Sequence, residues 1–214
     1  MTMNAYNELY LDDAMHNLAD MLDYAICDLN YEPDEFFSWF INSGIASKFE
    51  KGNPKYITGM SGVELCEAVL KETNITPPDT PATNPDFKGK EYWAGWVLAY
   101  YQWYSGRRFE DIASNGLTIS KIMSMYILHE ADESKFVEEA EKIINRNKAN
   151  EKAKLHKIRK ARGFTQKELS DASGVSLRMI QLYEQKQNDI SKAQVNVVVS
   201  LAKALGCEVE DLID

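Results

Sequence analysis

The segment TQKELSDASGVSLRMIQLYE, Thr165 to Glu184, constrains the fold of this chain more than any other. Thr165 and Glu168 stand three apart, the spacing at which a hydroxyl and a carboxylate cap a helix N-terminus reciprocally. Leu169 and Ala172 then face inward, and Gly174 can adopt the left-handed backbone that a tight turn needs. Val175 plugs the space beneath that turn. Ser176 caps a second helix, whose Ile180 and Tyr183 point inward. Leu177, Arg178, Gln181 and Gln185 are left on the outside. Two short helices therefore meet at one glycine, and the second presents a polar outer face.

The flanks extend the pattern. Leu155 to Ala161 reads as a short helix with Leu155 and Ile158 inward and Lys154, Lys157, Arg159 and Lys160 outward, ended by Gly163. Ser170 is small enough to let two helices approach. Val195, Val198, Val199, Leu201, Ala202 and Leu205 pack a fourth helix, closed by Gly206. Val209, Leu212 and Ile213 predict a final turn of helix.

This five-helix arrangement resembles the Cro/CI-like (XRE) helix-turn-helix family. Gln166, Leu169, Gly174, Val175, Ser176, Ile180 and Tyr183 carry the resemblance, and the tail LAKALGCEVEDLI strengthens it. The resemblance implies a domain that binds double-stranded DNA at an operator. A helix fits the major groove, and its N-terminal side chains reach base edges. On that pattern Gln166 holds a phosphate, with Thr165 and Lys167 near the DNA backbone. Ser176, Leu177 and Arg178 open the recognition helix. Arg178 has the fork that pairs with guanine O6 and N7, Leu177 meets a thymine methyl, and Gln181 reads adenine or bridges to it through water. Lys186 sits by a phosphate. Relatives act as homodimers, with recognition helices about 34 Å apart to match one DNA turn. Ser170 stands where the family usually has alanine, Ser173 where it often has leucine, and Leu182 puts an apolar group on the groove side.

Charge divides the chain in two. Residues 1–147 carry 24 Asp/Glu against 12 Lys/Arg, whereas residues 148–192 carry 11 bases against 5 acids. A basic block suits phosphate and an acidic block repels it, so two modules with different partners are expected. The segment NRNKANEKAK, Asn145 to Lys154, has alanine as its one apolar type. The expected organisation is an acidic helical domain over 1–147, a linker over 148–154 that is either flexible or a solvated helical extension, and the helix-turn-helix domain over 155–214.

The acidic part reads as an all-α bundle. Tyr6 to Leu29 is amphipathic, with apolar residues at three- and four-residue steps. Pro33 starts a second helix that stops near Gly44, with Asp34 and Glu35 at its positive end. Gly52, Asn53, Pro54 and Gly59 mark a loop. Ser61 and Glu64 open a third helix with capping-box spacing. Thr73 to Lys90 holds Pro77, Pro78, Pro81 and Pro85 and is expected to be irregular, on the surface or crossing between helices. Glu91 to Tyr104 is a helix dense in aromatics, with Trp93, Trp96, Tyr100 and Tyr104 as the expected buried stripe. Because rings occur on both sides, Tyr92, Trp96, Tyr101 and Trp103 are candidates for a partner-binding face. Shorter helices are expected over Phe109–Ala113 and Ile119–Leu128, and a last one over Asp132–Asn145.

Nothing indicates an enzyme. There is no phosphate-binding glycine loop, no GxSxG and no nucleophile beside a base. Asp12, His16 and Asp20 share one helix face without a second ligand cluster, so a solvated charged face is expected and no metal or cofactor. His129-Glu130 lacks zinc-site context. Cys27, Cys66 and Cys207 fit no metal spacing and read as reduced, mostly buried thiols. No apolar leader is visible, and the most apolar run, Trp93 to Tyr104, is shorter than the roughly 20 residues of a membrane span. A cytoplasmic location without membrane contact is expected.

The whole chain also resembles bacterial two-module regulators, through NELYLDDAMHNLADMLDYA, GNPKYITGMSGVELCEAVL, YWAGWVLAYYQWYSGRRFEDI and SLRMIQLYEQKQNDISKAQ. That resemblance implies a transcriptional regulator in a toxin–antitoxin-like setting, its N-terminal domain holding a cognate toxin. The alternative is a phage-type or ligand-responsive repressor whose N-terminal domain dimerises or senses a small molecule.

Overall fold

The computed structural model describes residues 4–76, 78, 80–83, 88–150 and 153–213. All regular structure among them is helical, and none of these helices is long and apolar enough to cross a membrane. Two compact units form, Met1–Ala149 and Asn150–Asp214. The helices of the first are α1 (Leu11–Asp23), α2 (Pro33–Asn42), α3 (Ile45–Phe49), α4 (Pro54–Ile57), α5 (Gly62–Glu72), α6 (Lys90–Ser105), α7 (Phe109–Ser114), α8 (Ile119–Met123) and α9 (Glu133–Asn150).

The pairing of α1 with α6 organises this unit. Ala14, Ala19, Ala94 and Ala99 are fully buried. A Cβ on Gly95 would stand 2.5 Å from the Leu18 carbonyl oxygen and 2.6 Å from Ala19 Cα. Glycine alone allows the two backbones to meet there. This close approach decides which face of α6 turns inward. The deepest positions are Ala94, Val97, Leu98 and Tyr101, whereas Tyr104 is 41% exposed. The expected stripe of Trp93, Trp96, Tyr100 and Tyr104 is therefore corrected. The small face abuts α1, and the large rings of Trp93, Trp96 and Tyr100 flank the contact, partly buried.

The same geometry corrects the proposed partner face. Tyr101 is fully buried and donates its hydroxyl to Glu141 Oε1 at 2.8 Å. Trp103 is also buried, and its indole N–H donates to the Tyr6 carbonyl at 2.8 Å. Tyr92 and Trp96 alone of the four remain partly accessible, stacked on each other.

A second ring cluster closes the other side. Phe37, Phe40 and Phe49 each pack on Phe109 with centroids 5.5–5.9 Å apart. Glu50 reaches this region with its carboxylate accepting the Phe109 N–H at 3.0 Å, which satisfies an orphan donor at the start of α7.

Several boundaries depart from expectation. The first helix stops being α-helical at Asp23, and Tyr24–Asp28 forms a π-helical turn closed by Leu29 N–H to the Tyr24 carbonyl at 3.1 Å. The loop expected at 52–59 contains α4, because Asn53 caps it through Lys55 N–H and Pro54 supplies a preset φ. The helix expected over Ile119–Leu128 ends at Met123 and resumes as a 3-10 segment, Tyr126–Glu130. The helix expected to stop near Asn145 runs on to Asn150, which is the helical-extension alternative for the start of the linker, and Lys154 begins the next helix. Residues 151–152 of that linker lie outside the described residues.

Within the irregular stretch, Pro77 and Pro85 lie outside the described residues, but Thr83 and Lys88 fasten it to α1 and to the π-helical turn that follows. Thr83 donates Oγ1–H to Asp28 at 2.6 Å, and Lys88 Nζ reaches Asp20 at 3.2 Å and Asp23 at 3.0 Å. Asp20 is thus a lysine partner. His16 stands edge-on to Trp96 at 4.6 Å, so Asp12, His16 and Asp20 do not converge on a common point. Of the cysteines only Cys66 is buried; Cys207 is half-buried and Cys27 is exposed, against the expectation of mostly buried thiols.

Candidate nucleic-acid interface

The second unit is built from α10 (Lys154–Ala161), α11 (Gln166–Ser173), α12 (Leu177–Glu184), a 3-10 turn (Ile190–Lys192) and α13 (Val195–Leu205). Its core is Leu155, Leu169, Val175, Ile180, Tyr183, Ile190, Val198, Leu201, Ala202, Leu205 and Leu212.

The turn between α11 and α12 follows from local chemistry. Glu168 N–H donates to Thr165 Oγ1 at 3.1 Å, and Thr165 N–H donates to Glu168 Oε2 at 2.7 Å, so both halves of the capping box form. Gly174 ends α11 in the left-handed region at φ +72°, with its N–H on the Ser170 carbonyl. Ser176 Oγ accepts the Met179 N–H and starts α12. Ser170 and Ser173, the departures from the family pattern, stitch this turn. Ser170 Oγ–H donates to the Val175 carbonyl at 2.7 Å, and Ser173 Oγ accepts the Val175 N–H at 3.2 Å.

Beneath α12 lies a polar cluster that the sequence reading missed. Arg159 and Glu184 are 3% and 4% exposed. Arg159 Nε and Nη2 donate to the two Glu184 oxygens at 2.5 and 2.9 Å, and Nη1 donates to the Phe164 carbonyl at 2.6 Å. Gln166 Nε2 and His156 Nδ1 lie 2.8 and 3.0 Å from Glu184 Oε2. Burial by itself would raise the Glu184 carboxyl. The hydrogen bonds from Arg159, Gln166 and His156 outweigh it and hold the group down at about 2. Arg159 was expected outward. Helical periodicity carried the opposite signal, since Arg159 is four residues after Leu155 and Glu184 four after Ile180, both core positions.

Of the residues expected at DNA, Thr165, Lys167, Ser176, Leu177, Arg178 and Lys186 are exposed, and Gln166 and Gln181 are half-buried. Leu177 and Arg178 open α12, as the spacing predicts. Arg178 enters no hydrogen bond or ion pair among the described residues. Gln166 is different. Its amide N–H is committed to Glu184, so its carboxamide is oriented by the protein. Lys186 holds a left-handed backbone at φ +55° just past the end of α12.

Three further expectations fail here. Ala172 is exposed, because α11 turns Leu169 and Ser173 inward at four-residue spacing. Val195 is 77% exposed. It is the first residue of α13, and side chains there lean past the helix end instead of onto the core. The last helix is absent: Val209 to Leu212 form hydrogen-bonded turns that insert Leu212 into the core.

Residues 155–212 match the helix-turn-helix family model. The C-terminal unit is a helix-turn-helix domain of the kind found in DNA-binding transcriptional regulators. No curated protein and no solved structure matches the chain.

Proposed function

We propose that this chain is a sequence-specific regulator that reads an operator through α12 while its acidic unit binds what controls it. The observation that carries the reading is Arg178: exposed on the first turn of α12, uncommitted to any neighbour, and shaped to pair with a guanine edge. Lys167 on α11 and Lys186 after α12 flank it and supply phosphate contacts, as do the Thr165 and Ser176 caps. Leu177, 38% exposed beside Arg178, meets a thymine methyl, and Gln181 follows one turn later. Two copies bind as a homodimer, one half-site each.

The regulatory role we favour is that of an autorepressing antitoxin whose acidic unit holds a basic toxin. Charge supports it: residues 1–147 are strongly acidic, as a partner that must be kept off nucleic acid would require. The test has two arms. A reporter driven by the chain's own upstream DNA should fall on expression of the chain. Co-expression with the product of the adjacent gene should give a complex and relieve toxicity. An unchanged reporter sinks the regulator; absence of a complex sinks the antitoxin role alone. A ligand-responsive repressor is the second reading, favoured by a cavity of about 510 Å³ in the acidic unit.

A further inference from the structure

That cavity lies between α2, α3, the end of α6 and the start of α7, and its volume is within the range of small-molecule sites, about 300–1,000 Å³. Ile41 and Ala46 give it an apolar wall. Most of its charged groups are already spent. Arg107 Nη2 donates to both Glu141 oxygens, and its Nε donates to the Tyr101 hydroxyl. Arg108 is forked onto Asp111 and pairs with Glu110.

Gln102, Glu50 and Lys51 remain with capacity. Gln102 is 1% exposed; its Nε2 donates to the carbonyls of Glu50 and Arg107, both at 3.3 Å. Those two acceptors fix which way the amide points and leave Oε1 buried with no partner. A buried acceptor without a donor is costly, and native proteins rarely leave one so. Glu50 lines the same cavity, 9% exposed, and only its Oε2 accepts from Phe109. Lys51 sits beside it, and its ammonium bonds only to Ser47 Oγ at 3.2 Å, leaving two donors open. Two acceptors and one cation beside an apolar wall complement a molecule that carries an ammonium, a carboxylate and a short apolar group.

We propose that this cavity binds a free α-amino acid. Its ammonium is held by the Glu50 carboxylate and Gln102 Oε1, its carboxylate by Lys51, and its side chain rests on Ile41 and Ala46. The site is complete within the acidic unit and does not depend on DNA binding.

The full-length protein, without DNA, is screened by thermal shift against each standard amino acid singly, and any hit is titrated by calorimetry. n-Butylamine and butyrate serve as the two half-ligands. The expected result is saturable one-to-one binding of at least one apolar amino acid, tighter than either half-ligand. Lys51→Met, at an exposed position, should weaken the amino acid by about tenfold and leave n-butylamine unchanged. Glu50→Gln keeps an oxygen for the Phe109 N–H and should weaken both ligands. No saturable binding of any amino acid overturns the proposal. So does binding that Lys51→Met leaves intact, which decides the matter even if Glu50→Gln fails to fold.

Discussion

Arg159 and Glu184 form a two-pronged ion pair, 2.5 and 2.9 Å, in the core of the helix-turn-helix unit, directly joining α10 to α12. Because Gln166 also bonds to Glu184, the start of α11 is held by the same carboxylate. One buried anion thus sets the relative positions of α10, α11 and α12. Truncating either partner leaves the other charge buried, so Arg159→Met or Glu184→Leu should cost about 3–5 kcal/mol. Replacing both with apolar residues should recover most of that. Denaturant unfolding of the wild type, the two single variants and the double variant measures it.

The pair also sets an acid limit. The Glu184 carboxyl is held below its ordinary value in the folded state, so its contribution is fully present above pH 4.5 and is lost as pH falls towards about 2. The loss should be on the order of 3 kcal/mol over that interval. Glu184→Gln, already destabilised at neutral pH, should lack this part of the acid dependence. Urea titrations between pH 2 and 6 (roughly the span over which carboxyls protonate) would check it.

Two glycines test two different constraints. Gly95 has ordinary backbone but no room, so Gly95→Ala should destabilise the acidic unit by about 1–3 kcal/mol through overpacking against Ala19. Gly174 has room, with nothing within 4 Å of a new Cβ, but a left-handed backbone. Gly174→Ala should therefore cost only about 1–2 kcal/mol. Thermal unfolding of each variant, followed by circular dichroism, separates the two. Gly95→Ala without loss would contradict the backbone contact, and Gly174→Ala without loss would contradict the left-handed turn.

Phosphate contacts and base contacts differ in their salt response. Lys167→Ala should weaken binding to any DNA sequence nearly uniformly and reduce the slope of log K against log salt by about 1. Anisotropy titrations at several salt concentrations on specific and scrambled duplexes read this directly.

Most helices were legible in the sequence because local chemistry determines them. Thr165/Glu168 and Ser61/Glu64 both form the capping boxes their spacing predicts. The turn at Gly174 was legible for the same reason. The inward face of α6 was not, since it depends on a backbone contact between Gly95 and Ala19, which are distant in sequence. Ring size pointed to Trp96 and Tyr104 as core, whereas the space against α1 admits only Ala94, Gly95 and Ala99. At the site, exposure of Leu177 and Arg178 was legible from helical phase. The role of Gln166 was not, because its partner Glu184 comes from another helix, 18 residues further on.

The reading of α12 as the DNA-reading helix rests most heavily on Arg178. Footprinting of tiled fragments of the upstream DNA, at a fixed salt concentration, should reveal a protected site. On that site Arg178→Ala should cost about 1–3 kcal/mol of specific affinity, leaving the unfolding midpoint and binding to scrambled DNA nearly unchanged. No protection on any fragment, or a protected site bound equally well by Arg178→Ala, would contradict it.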